Sequence, residues 1–375
     1  MARPRQEPEL PACYAMVIPG LETLAAEEIE QRLRGDVKRT GQGVVVFRAA
    51  QIDKSVLELR TTEDIFLLAW GSDQLSYRAE DLERIRRWTD RDAAWEQLLK
   101  IHHAIRPKPK GKPTFRLVVQ MSGQHGYRRV DARKALARGL AGKLPASWRH
   151  AEENAAVEIW LTIHGATAVC GLRLSDRSMR HRTYKLEHRP ASLRPTLAAA
   201  MVRLADVRPG LVVLDPMCGV GTILSEVVSE LRNKGWRHPE GAGRETTSDS
   251  VLGGDIETAA VRAAVANLSR FDNIRLTTWD ARQLPLPVHS VDRILCNLPF
   301  GKQLAKPEEI PRLYRKVLPE MDRVLRPGGR AVLLVAEAEA LKAALGGLPW
   351  KQTRFVRVRI LGQPATIFVF RKLDS

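Results

Sequence analysis

Cysteine is scarce: the 375 residues hold four, at Cys13, Cys170, Cys218 and Cys296, and none forms a C-x-x-C pair. That scatter argues against a disulfide framework and against a zinc site, and it fits a reducing cytoplasm. Long apolar runs are missing too. The longest are short, such as Ala331–Ala336, so no segment is expected to span a membrane. The opening MARPRQEPEL carries charges and prolines but no apolar h-region, which argues against a secretory signal. No Ser-His-Asp triad and no metal-ligating cluster stands out. His102 and His103 lie in an apolar helical stretch and read as a structural pair, and His164, His181 and His188 read as turn or surface residues. Internal repeats, low-complexity segments and an evident site for a protein partner are absent as well.

What the chain does have is positive charge. Sixty Lys and Arg against 43 Asp and Glu give a net charge of +17. Polyanions are the natural partners of such a surface, nucleic acid foremost. A hydrophobic content of 44% with 27% charged residues describes a globular chain, and its length calls for two or three domains.

The N-terminal part mixes strands and helices. Cys13–Pro19 reads as a strand, Leu21–Arg34 as an amphipathic helix and Val37–Ala49 as a hairpin around Gly41-Gln42-Gly43. Asp53–Arg60 reads as a helix, Ile65–Trp70 as a strand, and Asp81–Trp88 and Asp92–Ile105 as helices. Prolines and a glycine make Arg106–Pro113 a basic connector. The segment 114–174 then reads β-α-β-β, a small sheet with a helix on one side. Its helix, Asp131–Leu144, offers Ala135, Leu136, Leu140 and Leu144 to a core, and Lys134 and Arg138 share a face one turn apart. Ser175–Arg189 is rich in Arg and Lys and reads as a surface linker.

From Pro190 the pattern repeats strand and helix: a helix over Pro190–Leu204, then strands at Leu211–Asp215, Val251–Asp255, Ile274–Asp280, Val291–Asn297 and Arg330–Ala336. Helices at Thr222–Leu231, Thr258–Arg270 and Glu308–Leu325 separate them, and a hairpin near Phe355–Ile360 and Ala365–Arg371 closes the chain. Asn233–Ser250 reads as an exposed insertion. Together this predicts an α/β, Rossmann-like domain behind a smaller α+β module.

The pattern Asp215-x-x-x-Gly219-x-Gly221 marks the first strand-to-helix turn. A dinucleotide site wants a third glycine at 224, where Leu224 stands, and a phosphate-cradling loop wants Gly-Lys-Ser/Thr. Both absences favour a ligand with a nucleoside and no phosphate, S-adenosylmethionine being the common one; a purely structural turn is the alternative. Asp255 closes the second strand, where a carboxylate can accept both ribose hydroxyls, and Asp280 closes the third, where it can meet the adenine amine. Asn297-Leu298-Pro299-Phe300 ends the fourth strand. The Asn297 side-chain carbonyl and the Leu298 backbone carbonyl can both accept hydrogens of an exocyclic amine, localising its lone pair. Pro299 stiffens the turn, and Phe300 offers a ring for the base.

These stretches carry a family resemblance. DPMCGVGT at Asp215–Thr222, SLRPTLAAA at Ser192–Ala200, GGDIETAAVRAAVANL at Gly253–Leu268, NLPFGK at Asn297–Lys302 and VIPGLETLAAEEI at Val17–Ile29 resemble the THUMP-containing class I methyltransferases that make N2-methylguanosine in tRNA. The resemblance implies a ferredoxin-like plus THUMP RNA-binding module over 1–178, a basic linker over 179–189 and a Rossmann-like methyltransferase domain over 190–375. It implies cofactor contacts from Thr196, Pro216, Cys218, Thr222, Ile256 and Ala281 beside Asp215, Gly219, Gly221, Asp255, Asp280 and Asn297. It also implies that Asn297 through Phe300 hold the target base. Leu298 replaces the first proline of the broader Asn-Pro-Pro-aromatic signature, a change that removes ring rigidity but no acceptor. The Leu-Pro-Phe form looks like the subgroup that acts on guanosine 6 of the acceptor stem.

The expectation is therefore a cytoplasmic, S-adenosylmethionine-dependent tRNA guanine-N2 methyltransferase that needs no metal. Arg128, Arg129, Lys134, Arg138, Arg180, Arg182 and Lys185 are its candidate RNA contacts. The alternatives are another tRNA or rRNA guanosine, a different amino-methyltransferase (adenine N6 or protein glutamine), and an RNA-binding module with a vestigial cofactor fold.

Overall fold

The computed structural model describes residues 10–106, 111, 113–190, 192–235, 251–271, 274–300, 307–360 and 362–374. The chain divides into two compact units. One comprises residues up to Val17 with Glu22–Met179, and the other Ile18–Leu21 with the chain from Arg180 onward. Among the described residues no helix is long and apolar enough to cross a membrane.

The first unit runs β1 (Cys13–Met16), α1 (Glu22–Leu33), β2 (Asp36–Gly41), β3 (Val44–Arg48), β4 (Asp64–Ser72), α2 (Glu80–Arg91) and α3 (Trp95–Ile105). It continues with β5 (Thr114–Ser122), α4 (Arg129–Gly139), the two-residue β6 (Arg149–His150), β7 (Val157–His164), β8 (Thr167–Arg173) and the start of α5 (Arg177–His181), whose last two residues belong to the second unit. Its strands form one sheet in the order β2-β3-β1-β4-β8-β7-β5-β6. The expected β-α-β-β segment is present but is not a sheet of its own, because β8 pairs antiparallel with β4. The Asp64 carboxylate stitches that joint. It accepts from Arg173 Nε and Ser175 Oγ, both at 2.8 Å, while Glu158 takes another Arg173 nitrogen at 2.8 Å. Burying an arginine is tolerable here because both its carboxylate partners are at hand.

Asp53–Arg60, expected as a helix, is a 3-10 turn over Lys54–Glu58, with Asp53 accepting the Ser55 N–H at 2.8 Å. The Asp side chain satisfies the turn's first donor, and so favours a short turn over a full helix. On α4, Ala135 and Leu136 are buried, with Leu140 just beyond them, while Lys134 and Arg138 face solvent. Leu144 lies past the helix end and packs partly buried against the same core. Most of the connector Arg106–Pro113 lies outside the described residues.

The second unit runs α6 (Pro195–Ala205), β9 (Val213–Asp215), α7 (Thr222–Asn233), β10 (Val251–Asp255), α8 (Thr258–Leu268), β11 (Ile274–Thr278) and β12 (Val291–Asn297). Then come α9 (Ile310–Val324), β13 (Leu325–Val335), α10 (Ala338–Ala344), β14 (Trp350–Ile360) and β15 (Gln363–Lys372). The sheet order is β11-β10-β9-β12-β13-β15-β14. The first five are parallel neighbours, and β15 runs antiparallel to both β13 and β14. On β13, Ala331, Leu333 and Val335 join the core built with α9 and α10. The alternate residues Val332 and Leu334 are also fully buried and must face the opposite side. A strand buried on both faces is the mark of a parallel sheet covered by helices. The strand order reverses between β9 and β12, and the crevice above that switch point is where ligands bind in such sheets. Of the expected insertion Asn233–Ser250, the part from residue 236 on lies outside the described residues.

Candidate active site

The residues singled out at the strand ends converge above β9, β10 and β12. Asp215 ends β9 at 1% exposure and accepts the Met217 N–H at 3.2 Å. Burial pushes its carboxyl well above the usual carboxylate range; the Met217 N–H opposes that rise and the nearby charge of Asp255 adds to it. The loop then turns through Gly219 (φ +52°) and Gly221 (φ +76°), a left-handed path that side chains resist. The two glycines serve different ends. A Cβ on Gly221 would stand 2.8 Å from Leu268 Cδ1, so that glycine lets α7 close onto α8. A Cβ on Gly219 would meet nothing within 4 Å, so that glycine faces open space.

Asp255 locks this loop to the second strand. One carboxylate oxygen accepts the Gly219 N–H at 2.9 Å and the other the Glu257 N–H at 3.0 Å, while Cys218 N–H donates to the Gly254 carbonyl at 2.9 Å. The carboxylate stays half-buried, with room for further donors. Ile256 beside it is 60% exposed, a large apolar side chain left uncovered at the rim. Thr196, on the first turn of α6, and Ala281 are buried. Thr222 opens α7 buried, and its hydroxyl has no hydrogen-bond partner.

Asp280 sits differently from expectation. β11 ends at Thr278, and Asp280 two residues later is clasped by Arg282, whose Nε lies 2.9 Å from both carboxylate oxygens. The Arg282 hydrogen bonds hold its carboxyl below the usual range. Cys218 and Cys296 are buried and their thiols are pushed up by burial, which keeps them protonated and unreactive.

The loop after β12 is braced by two hydrogen bonds. Leu298 is fully buried and its N–H donates to the Leu334 carbonyl at 3.0 Å. The Tyr314 hydroxyl, from α9, donates to the Pro299 carbonyl at 3.0 Å. Phe300 is half-buried. Within this braced turn the Asn297 side-chain oxygen is buried and has no hydrogen-bond partner. Native proteins rarely leave such an acceptor orphaned, because desolvation without a donor costs about 1–3 kcal/mol. Gly301 and Lys302 lie outside the described residues.

Three supporting residues escaped the sequence reading. Trp279 Nε1, just past the end of β11, donates to the Pro216 carbonyl at 2.9 Å and so holds the glycine loop. Tyr314 braces Pro299. Asn267 donates to the Val220 carbonyl at 2.9 Å. The last sits in the quoted GGDIETAAVRAAVANL stretch, but as an unremarkable polar residue of a helix.

The basic segment after Met179 is a strap on the second unit, not a solvated linker. Tyr184 is buried, and its hydroxyl donates to Glu226 at 2.6 Å. Arg182 stands 3.3 Å from the same fully buried carboxylate. Lys185 donates to the Leu193 carbonyl at 2.7 Å. Arg182 and Lys185, expected to meet RNA, are therefore committed to protein acceptors, and Arg180 is half-buried. In the first unit Arg128, Arg129, Lys134 and Arg138 are exposed.

A family model described as an RMKL-like methyltransferase domain (UPF0020) matches residues 182–365. A tRNA (guanine(6)-N2)-methyltransferase of Thermus thermophilus is 30% identical over 362 residues, 95% of this chain and 98% of that protein. The chain belongs to the THUMP-containing class I tRNA guanine-N2 methyltransferase family. A Bos taurus member, tRNA (guanine(6)-N(2))-methyltransferase THUMP3, is 34% identical over 232 residues, 60% of this chain; the match spans only 45% of that longer protein. The crystal structure of TrmN from Thermus thermophilus superposes with a TM-score of 0.76 at 29% identity, covering 96% of this chain and 99% of that one. The family's Rossmann-like methyltransferase fold is the architecture described above.

Proposed function

We propose that the protein transfers a methyl group from S-adenosylmethionine to the N2 amine of a tRNA guanosine, at position 6 of the acceptor stem. The observation that carries the reading is the orphaned, buried Asn297 side-chain oxygen at the end of β12. The position of the methylated guanosine rests on the likeness of Leu298-Pro299-Phe300 to the guanosine-6 subgroup.

The residues present suit the cofactor. The Asp255 carboxylate retains acceptor capacity for ribose hydroxyls, and exposed Ile256 provides apolar cover for a nucleobase. Gly219 leaves backbone open to close approach, and the unpartnered Thr222 hydroxyl gives a polar contact. When bound, the cofactor supplies an electrophilic methyl on a sulfonium. Its adenine amine would meet an Asp280 already clasped by Arg282, so the base is held more by apolar contact than by that carboxylate.

Guanine N2 is a weak nucleophile because its lone pair is delocalised into the ring. Asn297 Oδ1 accepts one amine hydrogen and the Leu298 carbonyl the other, drawing the lone pair out of conjugation and aiming it along the line of transfer. Tyr314 holds Pro299, so these acceptors are positioned before substrate arrives. Extruding a stacked base costs a few kcal/mol, and stacking on Phe300 returns about 1–3 kcal/mol. The near balance leaves binding to phosphate contacts, for which exposed Arg128, Arg129, Lys134 and Arg138 are the candidates, and affinity should fall steeply with salt.

The test is mass spectrometry of nucleosides from tRNA incubated with enzyme and methyl-labelled cofactor, with the site mapped by fragment. Label in N2-methylguanosine at position 6 is expected. Label on adenosine N6, on protein glutamine or nowhere would overturn the reaction, and label at another guanosine would overturn the position.

A further inference from the structure

On the first unit, the ring of Tyr77 is 42% exposed although its backbone lies in the left-handed region, at φ +65°. A bulky residue rarely occupies that region, and glycine or asparagine would fit it with less strain. The site is built to keep the tyrosine there. Its carbonyl accepts the Gly126 N–H at 2.7 Å, and Ser76 just before it is pinned through both N–H and hydroxyl to buried Asp81 at 2.9 Å. The phenol stands over Gly165, where a Cβ would come within 3.1 Å of its oxygen. One face of the ring stacks on His125, with centroids 5.1 Å apart and planes 26° apart, and His125 leans in turn on Tyr127 at 5.2 Å. His125 is fixed by the Ser122 carbonyl at 3.2 Å from Nε2.

The result is an aromatic stack whose outermost ring is open to solvent, held in a strained backbone that contributes little to the core. Strain of that kind persists at binding sites. Exposed arginines adjoin the stacked rings in sequence: Arg78 follows Tyr77, and Arg128 and Arg129 follow Tyr127. Arg128 keeps an exposed guanidinium even while it pairs with Asp131 at 3.3 Å. An exposed aromatic ring on segments that also carry exposed arginines suits an unpaired base with its flanking phosphates. An apolar peptide would not need the charges, and a phosphate alone would not need the ring.

We propose that Tyr77 is a stacking platform for an unpaired base of the RNA substrate, with Arg78, Arg128 and Arg129 contacting the adjoining phosphates. The proposal rests on the reading that the protein acts on RNA. The experiment uses the full chain and an unmodified tRNA transcript and compares wild type with Tyr77→Phe, Tyr77→Ala and Tyr77→Gly. Tyr77→Phe should bind within about twofold of wild type, and the other two about tenfold more weakly, as loss of one stacked base predicts. The loss should appear chiefly in the tRNA concentration needed for half-maximal methyl transfer. Tyr77→Gly should melt no earlier than Tyr77→Ala, because glycine relieves the left-handed backbone that alanine keeps. Wild-type affinity in Tyr77→Ala and Tyr77→Gly would overturn the platform and leave the RNA reading standing. A wild-type protein that binds no tRNA would overturn both.

Discussion

Asn267 donates its side-chain N–H to the Val220 carbonyl, inside the glycine loop, at 2.9 Å. Its side-chain oxygen meanwhile accepts the N–H groups of Leu186 and Glu187, both at 2.7 Å, and its amide also reaches the Glu187 carbonyl at 3.1 Å. One buried amide thus ties the strap after Met179 to the glycine loop, using all four of its hydrogen-bonding positions.

Asn267→Ala should therefore act at two levels. Several backbone groups lose their only side-chain partner, and some will be reached by water, so a loss of about 2–3 kcal/mol of unfolding free energy is expected. The glycine loop also loses an anchor, so cofactor affinity should fall under conditions where the variant is fully folded. Denaturant melts and calorimetric titration with S-adenosylmethionine check the two separately. Unchanged cofactor affinity would mean that Trp279 and Asp255 suffice to hold the loop.

The division between what sequence revealed and what it hid follows the range of the interactions. Asp215, Gly219, Asp255 and Asn297 were legible because each ends or follows a strand with a clear apolar run, and the topology brings strand ends together. The seven-stranded sheet was legible for the same reason. Asn267, Trp279 and Tyr314 were not, because each matters through hydrogen bonds to backbone groups at least 15 residues away. The strap misled because a run of Arg, Lys and His reads as solvated. Only the fold places Glu226 and the Leu193 carbonyl where they take Arg182, Tyr184 and Lys185. The pairing of β4 with β8 was hidden likewise, since nothing local in either strand names its neighbour.

Asn297→Ala separates stability from function. Removing an acceptor that lacks a partner in the free protein should cost no hydrogen bond, so the melting temperature should stay near that of wild type. Turnover should drop about 10²–10³-fold, the scale seen when one preorganised polar contact to a reacting group is lost. Binding of tRNA should stay nearly intact. Near-normal turnover would remove Asn297 from the reaction, and a large loss of stability would mean its oxygen is paired in solution.

Asp255→Asn tests the lock between the second strand and the glycine loop. An amide keeps one acceptor but must turn its NH2 toward either the Gly219 or the Glu257 N–H, which sets donor against donor. Affinity for S-adenosylmethionine should fall by about tenfold or more, the equivalent of one charge-assisted hydrogen bond. The maximal rate of methyl transfer at saturating cofactor should change less than the affinity. An unchanged titration would take Asp255 out of the cofactor site.

Lys185 gives the strap a pH signature of defined sign. Burial lowers its ammonium from an ordinary value of 10.5 to about 8, while Nζ remains bonded to the Leu193 carbonyl. Below that lowered value the folded and unfolded chains both carry the proton, and the desolvation penalty is present in full. Between about 8 and 10.5 the unfolded chain binds more protons than the folded one, so this residue's contribution to stability rises with pH across that window. Above it the penalty is gone. Lys185→Met abolishes the titration but also removes a donor from the Leu193 carbonyl, an offset that does not vary with pH. The unfolding free energy of wild type minus that of Lys185→Met should therefore be flat up to about pH 8 and climb toward pH 10.5. Parallel curves throughout, measured by urea melts at several pH values, would mean that the ammonium is solvated and that Lys185 is free to meet a phosphate after all.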